Sequence, residues 1–221
     1  MLSRIIVRLK REFVRRVVPL SSCDGLEKLG SEYGGWIVPT DRITPDAVCY
    51  CAGVGEDITF DLELINRFSC SVFAFDPTPR AKAHVERTAR SIPKYHFRNI
   101  GLWSSDIATK FYAPKNPFDV SHSILNLQHT GQFFEADCRS LSSLMRELGH
   151  DHIDLLKMDI EGAEHEVIQT LLEDKIDLKI LCVEFNQPMS VRTVLKTIRR
   201  LTGNGFSVVA QDGWNYTFVK S

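Results

Sequence analysis

The sequence predicts an α/β fold: a seven-stranded, mostly parallel sheet with a C-terminal antiparallel hairpin and helices on both faces. From residue 48 onward, short apolar segments of strand length alternate with segments of helical periodicity, a pattern typical of parallel strands joined by right-handed crossover helices. Near the C-terminus, two strand-like segments flank Asp212-Gly213, a pair typical of hairpin turns. The 221 residues, 43% of them hydrophobic, suffice for one large core.

The predicted elements divide the chain into three parts. Residues 1–20 form a helix that stops near Pro19, residues 21–47 form a loop or lid segment, and residues 48–221 form the main domain. In the main domain, strands are predicted at 48–51, 71–76, 95–99, 153–159, 179–185, 206–210 and 216–220, and helices at about 57–68, 79–91, 161–172 and 191–201. The roughly fifty residues before 153 are predicted to be irregular, with short strands near 110–112 and 133–137.

The composition excludes several classes of protein. A formal net charge of −1 gives no nucleic-acid signature, and no apolar segment of the sequence reaches the roughly 20 residues that span a bilayer. The six cysteines show neither a C-x-x-C pair nor a regular spacing, which argues against zinc fingers and a disulfide scaffold. We therefore expect a cytoplasmic globular protein without a nucleic-acid partner.

The first 20 residues contain six basic residues and one acidic residue, whereas the remainder of the chain is acidic overall. Apolar residues recur there at helical spacing, opposite a stripe of arginines: Leu2, Ile5, Ile6, Leu9, Phe13 and Val17. We expect residues 1–18 to lie outside the main domain and to dock on an anionic membrane surface or a partner, which would make the protein peripheral to the membrane. Packing of this stripe on the main domain is the alternative, and an Arg-rich, acid-poor start is also similar to a mitochondrial transit peptide.

Two glycines lie where the first predicted strand turns into its helix, in Cys49-Tyr50-Cys51-Ala52-Gly53-Val54-Gly55-Glu56-Asp57. Glycine there lets the backbone approach a ligand, whose polar groups the helix N-terminal amides can bind. Asp76 ends the second strand, where an acid accepts both hydroxyls of a ribose. These residues indicate an adenosine-containing cofactor, and a tight turn without a ligand is the alternative.

Residues missing from this motif decide which cofactor is favoured. A dinucleotide fingerprint requires a third glycine three residues after the second, and that position is Ile58. Glu56 and Asp57 also place negative charge where a pyrophosphate would bind. An NAD-dependent reductase is therefore disfavoured. S-adenosyl-L-methionine, which carries a sulfonium and an ammonium, suits the negative charge, and the terminal hairpin matches the methyltransferase sheet.

A second motif runs from a strand into a helix, in Ile153-Asp154-Leu155-Leu156-Lys157-Met158-Asp159-Ile160-Glu161-Gly162-Ala163-Glu164. Asp159 ends the strand, at the edge where open α/β sheets bind ligands. This segment resembles the FkbM family of S-adenosylmethionine-dependent methyltransferases, whose strand has the form L-L-K-x-D-x-E-G-x-E. Phe75-Asp76-Pro77-Thr78-Pro79 and Val183-Glu184 are also similar to that family, and the resemblance covers residues 46–221.

The resemblance implies a class I (Rossmann-like) methyltransferase fold, S-adenosyl-L-methionine as the cofactor, and O-methylation, often of a sugar hydroxyl. The acceptor would then be a glycan or another small molecule. The family's first motif has the form D-x-G-A-N-x-G. Here Cys51 replaces its aspartate, Gly55 its asparagine and Asp57 its last glycine. Gly53, Gly55 and Asp76 still match the family in kind.

The candidate cofactor-binding residues are Gly53, Gly55, Asp57, Asp76, Pro77, Asn99, Gly101 and Asp159. A hydroxyl acceptor must lose a proton, which requires a general base or a metal ion. The candidate catalytic residues are Asp159, Glu184 and His122, with Glu161 and His129 as further candidates. A divalent metal fits this chemistry, but no metal site is predicted.

The same residues also have a structural interpretation. In it, Asp159 contacts the methionine ammonium, Glu161 caps its helix, and Glu184 pairs with Lys157. Two other functions compete with O-methylation. An N- or protein-directed methyltransferase would need no strong base, and a non-catalytic module would keep only the fold.

Overall fold

The computed structural model describes residues 2–116, 121–185 and 190–221. Its helices are α1 (Leu2–Val17), α2 (Thr59–Phe68), α3 (Pro79–Thr88), α4 (Leu141–Leu148), α5 (Glu164–Glu173) and α6 (Val191–Gly203). Its strands are β1 (Leu26–Leu29), β2 (Trp36–Pro39), β3 (Val48–Ala52), β4 (Ser71–Phe75), β5 (Tyr95–Arg98), β6 (Gly101–Leu102), β7 (Ile107–Tyr112), β8 (Phe133–Arg139), β9 (Ile153–Met158), β10 (Leu178–Glu184), β11 (Phe206–Asp212) and β12 (Asn215–Lys220).

Seven strands form the main sheet, in the order β11-β12-β10-β9-β3-β4-β5. The strands from β10 to β5 run parallel, and β12 runs antiparallel to both β10 and β11. This topology confirms the predicted α/β fold with its C-terminal antiparallel hairpin. The antiparallel strand β12 lies inside the sheet, between β11 and β10, and β11 is the edge strand on that side.

Helices cover both faces of the sheet. One buried cluster contains side chains of α1, α4, α5 and α6, and a second contains side chains of α2 and α3. Every residue of the central strand β9 is buried, as expected for a parallel strand covered on both faces. The carboxyl ends of β3, β4, β9 and β10 therefore meet at one edge of the sheet, which positions the candidate site.

Residues 21–47, predicted as a loop or lid, contain regular structure. Strands β1 and β2 pair as an antiparallel hairpin, and a 3-10 helix, Thr40–Arg42, follows. Trp36 and Val38 are buried, and β2 packs against β10, β11 and β12. Each strand has only four residues, which is too few for an alternating pattern to distinguish a strand from a loop in the sequence. The residues that bury these strands are distant in the sequence.

The stretch before residue 153 is more regular than predicted. Strands β6, β7 and β8 form a separate three-stranded sheet, and helix α4 follows. The side chain of Ser140 accepts a hydrogen bond from the amide of Ser143 at the start of α4, and Gly149 ends the helix in a left-handed conformation. Both cap signals are visible in the sequence; the prediction of an irregular segment overlooked them.

Helix α1 does not lie wholly outside the main domain. Val14 and Val18 belong to the main core, and the amide of Ser21 donates to the carbonyl of Val208 on β11 at 2.8 Å. The predicted alternative, packing on the domain, therefore holds for one face of α1. Across the described ranges, no helix is long and apolar enough to cross a membrane.

The buried turn at Gly35 gives a test of the β1–β2 packing. A Cβ atom at Gly35 would lie 2.3 Å from the carbonyl oxygen of Ser31, and one at Gly203 would have nothing within 4 Å. We expect Gly35→Ala to lower the free energy of unfolding by about 1–3 kcal/mol, measured by urea denaturation. The matched control Gly203→Ala should be neutral or stabilising by up to about 1 kcal/mol. Equal stability of the two variants would contradict this packing.

Candidate active site

The glycine turn after β3 is in tight contact with the end of β9. Gly53 has a φ of +79°, and its amide donates to the carbonyl of Phe75 at 3.0 Å. A Cβ atom at Gly53 would lie 1.7 Å from the carbonyl oxygen of Asp159. Glycine is therefore required here for two reasons: the left-handed conformation and the close approach of the two motif loops.

Asp76 organises this turn. Its Oδ2 accepts the amides of Val54 and Gly55, both at 2.9 Å, and its Oδ1 accepts the amide and hydroxyl of Thr78 at 2.8 and 2.6 Å. Four donors match the acceptor capacity of a carboxylate, and Asp76 is buried. Contact between Asp76 and a ribose stays a prediction; in this structure the carboxylate shapes the turn.

Lys157 links the two motifs. Its ammonium is buried and donates to the carbonyl of Gly53. Burial lowers the pKa of Lys157, but the nearby charges of Asp159 and Asp61 outweigh burial and raise it. The lysine therefore stays charged, and its hydrogen-bonding partner is Gly53 and not the predicted Glu184.

Asp159 and Glu184 form a carboxyl pair at the ends of β9 and β10. The strands are adjacent, with Val183 opposite Met158. Burial, followed by the negative charge of Asp159 and a hydrogen bond with it, raises the pKa of Glu184 well above its usual range. Two carboxyl groups in contact cannot readily both ionise, so the pair retains a proton near neutral pH.

Two adjoining clefts open at this edge of the sheet, with volumes of about 260 and 320 Å³. The first contains most of the predicted site residues: Gly53, Gly55, Asp57, Asp76, Pro77, Gly101, His122, Asp159, Glu161 and Glu184. The second is lined by Tyr33, by residues of 112–114 and 121–128, and by Asp159, Glu161 and Glu184, with hydroxyl, amide and carboxylate groups among them. Asp159, Glu161 and Glu184 line both clefts and lie at the boundary between them.

Two predicted residues lie apart from these clefts. Asn99 is exposed, and its Nδ2 donates to the backbone carbonyl of Asp76 at 2.7 Å, so it anchors the end of β4. His129 is exposed and lines neither cleft. His122 lines the first cleft, with its ring edge-on to Phe134.

Asp57 fixes the turn that precedes β2. Its Oδ2 accepts the hydroxyl of Ser31 at 2.6 Å, and Ser31 Oγ in turn accepts the amide of Gly34 at 2.8 Å. Its Oδ1 accepts the amide and hydroxyl of Thr59. Burial raises the pKa of Asp57, but these bonds outweigh it and lower the pKa. Sequence reasoning missed Ser31, because a residue 26 positions away gives no local signal.

Glu164 holds the loop after β9. Its Oε1 accepts the amides of Ile160 and Gly162 at 3.0 and 3.2 Å, and burial raises its pKa to about 8. Helix α5 begins at Glu164 with Ala163 at its N-cap position, so Glu161 lies two residues before the N-cap. Glu161 has a left-handed φ of +57°, and its carbonyl accepts the hydroxyl of Ser123 at 2.6 Å.

The fold and the site define an S-adenosyl-L-methionine-dependent methyltransferase. The "Methyltransferase FkbM domain" matches residues 50–208. The chain therefore belongs to the FkbM methyltransferase family, as its two motifs predicted, and its cofactor is S-adenosyl-L-methionine.

The chain is also similar to curated relatives and to solved structures. The "Probable methyltransferase-like protein 24" of Rattus norvegicus is 32% identical over 130 residues, 58% of this chain and 29% of that protein. The chain thus spans less than a third of this relative. Aeropyrum pernix fibrillarin in complex with S-adenosyl-L-methionine has a TM-score of 0.46 at 8% identity, covering 91% of this chain and 84% of that chain. A human methyltransferase 10 domain containing protein has a TM-score of 0.46 at 14% identity, covering 99% and 95%.

The hydrogen bonds of Asp76 predict a coupled loss of stability and cofactor affinity. In Asp76→Asn, an NH₂ group replaces one oxygen and faces two donors, so buried donors lose their acceptor. We expect the free energy of unfolding to fall by about 2–4 kcal/mol and the affinity for S-adenosylhomocysteine to fall at least tenfold, measured by denaturation and calorimetry. The exposed Asp24 provides a matched control, Asp24→Asn. Wild-type affinity in Asp76→Asn would remove Asp76 from the site.

The raised pKa of Glu164 predicts a pH-dependent stability. The folded protein binds the Glu164 proton more tightly than the unfolded chain, so the free energy of unfolding falls as the pH rises from about 4.5 to about 8. In Glu164→Gln this contribution is absent, because the amide oxygen still accepts both loop amides and carries no charge. Relative to that of wild type, the free energy of unfolding of the variant should rise by up to about 5 kcal/mol as the pH increases across this window.

Urea denaturation at several pH values measures the difference. The exposed neighbour Glu166 supplies the control, Glu166→Gln, whose stability should follow wild type at every pH. Parallel curves for Glu164→Gln and wild type would show that Glu164 ionises normally in the fold.

Proposed function

We propose that this chain transfers a methyl group to a hydroxyl of a saccharide or related small polyol. The observation that carries the proposal is the carboxyl pair of Asp159 and Glu184, which lines both clefts at their boundary. A donor in one cleft and an acceptor in the other would meet at this pair. Holding the donor and the acceptor in this arrangement accounts for much of the rate enhancement of a direct transfer.

The first cleft fits the cofactor by the chemistry of its lining. Gly53, Gly55, Asp76 and Gly101 lie along it, and the carboxylates at its inner end complement a sulfonium and an ammonium. When bound, S-adenosyl-L-methionine supplies an electrophilic methyl group. The chain's own residues orient that group, exclude water and manage the acceptor's proton.

The carboxyl pair provides the proton acceptor that a hydroxyl requires. A hydroxyl becomes a better nucleophile when a base withdraws its proton as the new bond forms. Glu184, whose pKa is raised, retains the proton of the pair, so the carboxylate of Asp159 is the group that accepts the proton of the hydroxyl.

The second cleft supports an uncharged polyhydroxylated acceptor. Its lining includes the hydroxyl- and amide-bearing residues Tyr33, Tyr112, Ser121, Ser123, Asn126 and Gln128. Among the described residues that line it there is no lysine or arginine. Basic side chains supply most contacts to phosphate groups, so a phosphate-bearing acceptor such as a nucleic acid fits this cleft poorly.

An amine acceptor is the second candidate. Asp159 and Glu161 provide carboxylates that would also attract an ammonium group. Such an acceptor must already be deprotonated when it reacts, so it depends less on a base. The two candidates therefore differ in how strongly turnover depends on Asp159.

A panel of sugars, polyols and amines tests the proposal by release of S-adenosylhomocysteine from S-adenosyl-L-methionine. We expect turnover with hydroxyl acceptors, and we expect Asp159→Asn to lower kcat about 10²–10⁴-fold, because it removes the carboxylate that accepts the proton; calorimetry measures cofactor affinity separately. Glu166→Gln is the matched control and should keep wild-type kcat. Turnover restricted to amines, or an unchanged kcat in Asp159→Asn, would contradict O-methylation with this base.

A further inference from the structure

Helix α1 has two apolar faces, and only one is covered. Val14 and Val18 are buried in the core, and α1 packs against α6. A second row of apolar side chains is 47–64% exposed, and we call it the α1 stripe: Ile6, Leu9, Phe13, Val17 and Leu20. The spacing of three or four residues places these side chains along one side of the helix and its C-terminal extension.

The α1 stripe concentrates the exposed apolar surface of the protein. Of the nine large hydrophobic residues that are exposed in the described parts of the chain, five belong to it. Single exposed apolar residues are normal, but a contiguous row marks an interaction surface. Core packing does not explain the row, since Val14 and Val18 already attach the helix.

The helix that carries the α1 stripe and its neighbour α6 are both rich in positive charge. Arg8, Arg15 and Arg16 are exposed on the same helix, whose one acidic residue, Glu12, lies 3.8 Å from Arg11. The adjacent helix α6 exposes four more basic residues and contains no acid: Arg192, Lys196, Arg199 and Arg200. The whole chain has a net charge of −1, so this end of the molecule carries a local excess of positive charge.

We propose that the α1 stripe docks on an anionic lipid surface, with α1 lying in the plane of the interface. The apolar row would enter the boundary between headgroups and acyl chains, and the arginines would contact anionic headgroups. With 16 residues, the helix is about 24 Å long and too rich in arginine to cross the bilayer. This proposal does not depend on the identity of the methyl acceptor.

A second copy of the chain suits this surface less well than lipid. Pairing two α1 stripes would bring together two helices that each carry six basic residues and one acid, and like charges in contact are unfavourable. Anionic headgroups instead neutralise the positive charge of α1 and α6. Charge complementarity therefore favours the membrane.

Vesicle co-sedimentation of the full chain tests the proposal. We expect binding to phosphatidylcholine vesicles that contain about one-third phosphatidylserine, weaker binding at high salt, and little binding to phosphatidylcholine alone. The double variant Leu9→Gln/Phe13→Gln should lose at least tenfold in partitioning, because it removes the centre of the stripe. Arg15→Gln/Arg16→Gln should lose roughly 20–30-fold, from the contribution of each basic residue near an anionic surface.

Matched controls separate docking from general effects. Ile107→Gln removes an exposed apolar side chain elsewhere, and Lys82→Gln/Arg87→Gln removes two exposed charges from α3; both should bind as wild type. All substituted positions are exposed, so melting temperatures should stay unchanged. Equal binding to neutral and anionic vesicles, or no binding, would overturn the proposal. So would a dimer in analytical ultracentrifugation that Leu9→Gln/Phe13→Gln dissociates, which would assign the stripe to a second copy.

Discussion

The contact between Gly53 and the end of β9 is the constraint on which the site depends. The carbonyl of Asp159 occupies the space that a side chain at Gly53 would need, and the Lys157 ammonium holds the Gly53 carbonyl from within the sheet. This contact places the first-motif turn beside the Asp159 carboxylate. The cofactor cleft and the carboxyl pair therefore occupy one edge of the sheet because the backbones of two distant motifs touch.

Buried charge is distributed unequally around this contact. Lys157 compensates the carboxylates beneath the turn, Asp61 among them, and Asp76 is satisfied by four donors. Among the described residues, the charges that act on Glu184 belong to other carboxyl groups: burial and the charge of Asp159 raise its pKa. The site thus separates carboxylates that organise the backbone from a carboxyl pair that retains a proton, a distinction typical of acid-base sites.

The main sheet was predictable because its strands are short and apolar and alternate with helices along the sequence, as β9 and α5 show. The motif glycines and Asp159 were predictable because ligands bind at the carboxyl edge of such sheets. The contact of Asp76 with Thr78 is local, since the two residues are two positions apart. The other partners were not predictable, because Ser31 and the amides of Val54 and Gly55 meet these carboxylates only after folding. The β1–β2 hairpin was not predictable for the same reason, because the strands that bury β2, namely β10, β11 and β12, lie far along the chain.

We propose that methyl transfer occurs at the boundary of the two clefts. A crystal structure of the complex with S-adenosylhomocysteine is the most direct test. We expect the nucleoside to lie in the cleft along Gly53, Gly55 and Gly101, with the sulfur facing Asp159 and Glu184. A sulfur that points away from this carboxyl pair, or a ligand bound outside the first cleft, would contradict it.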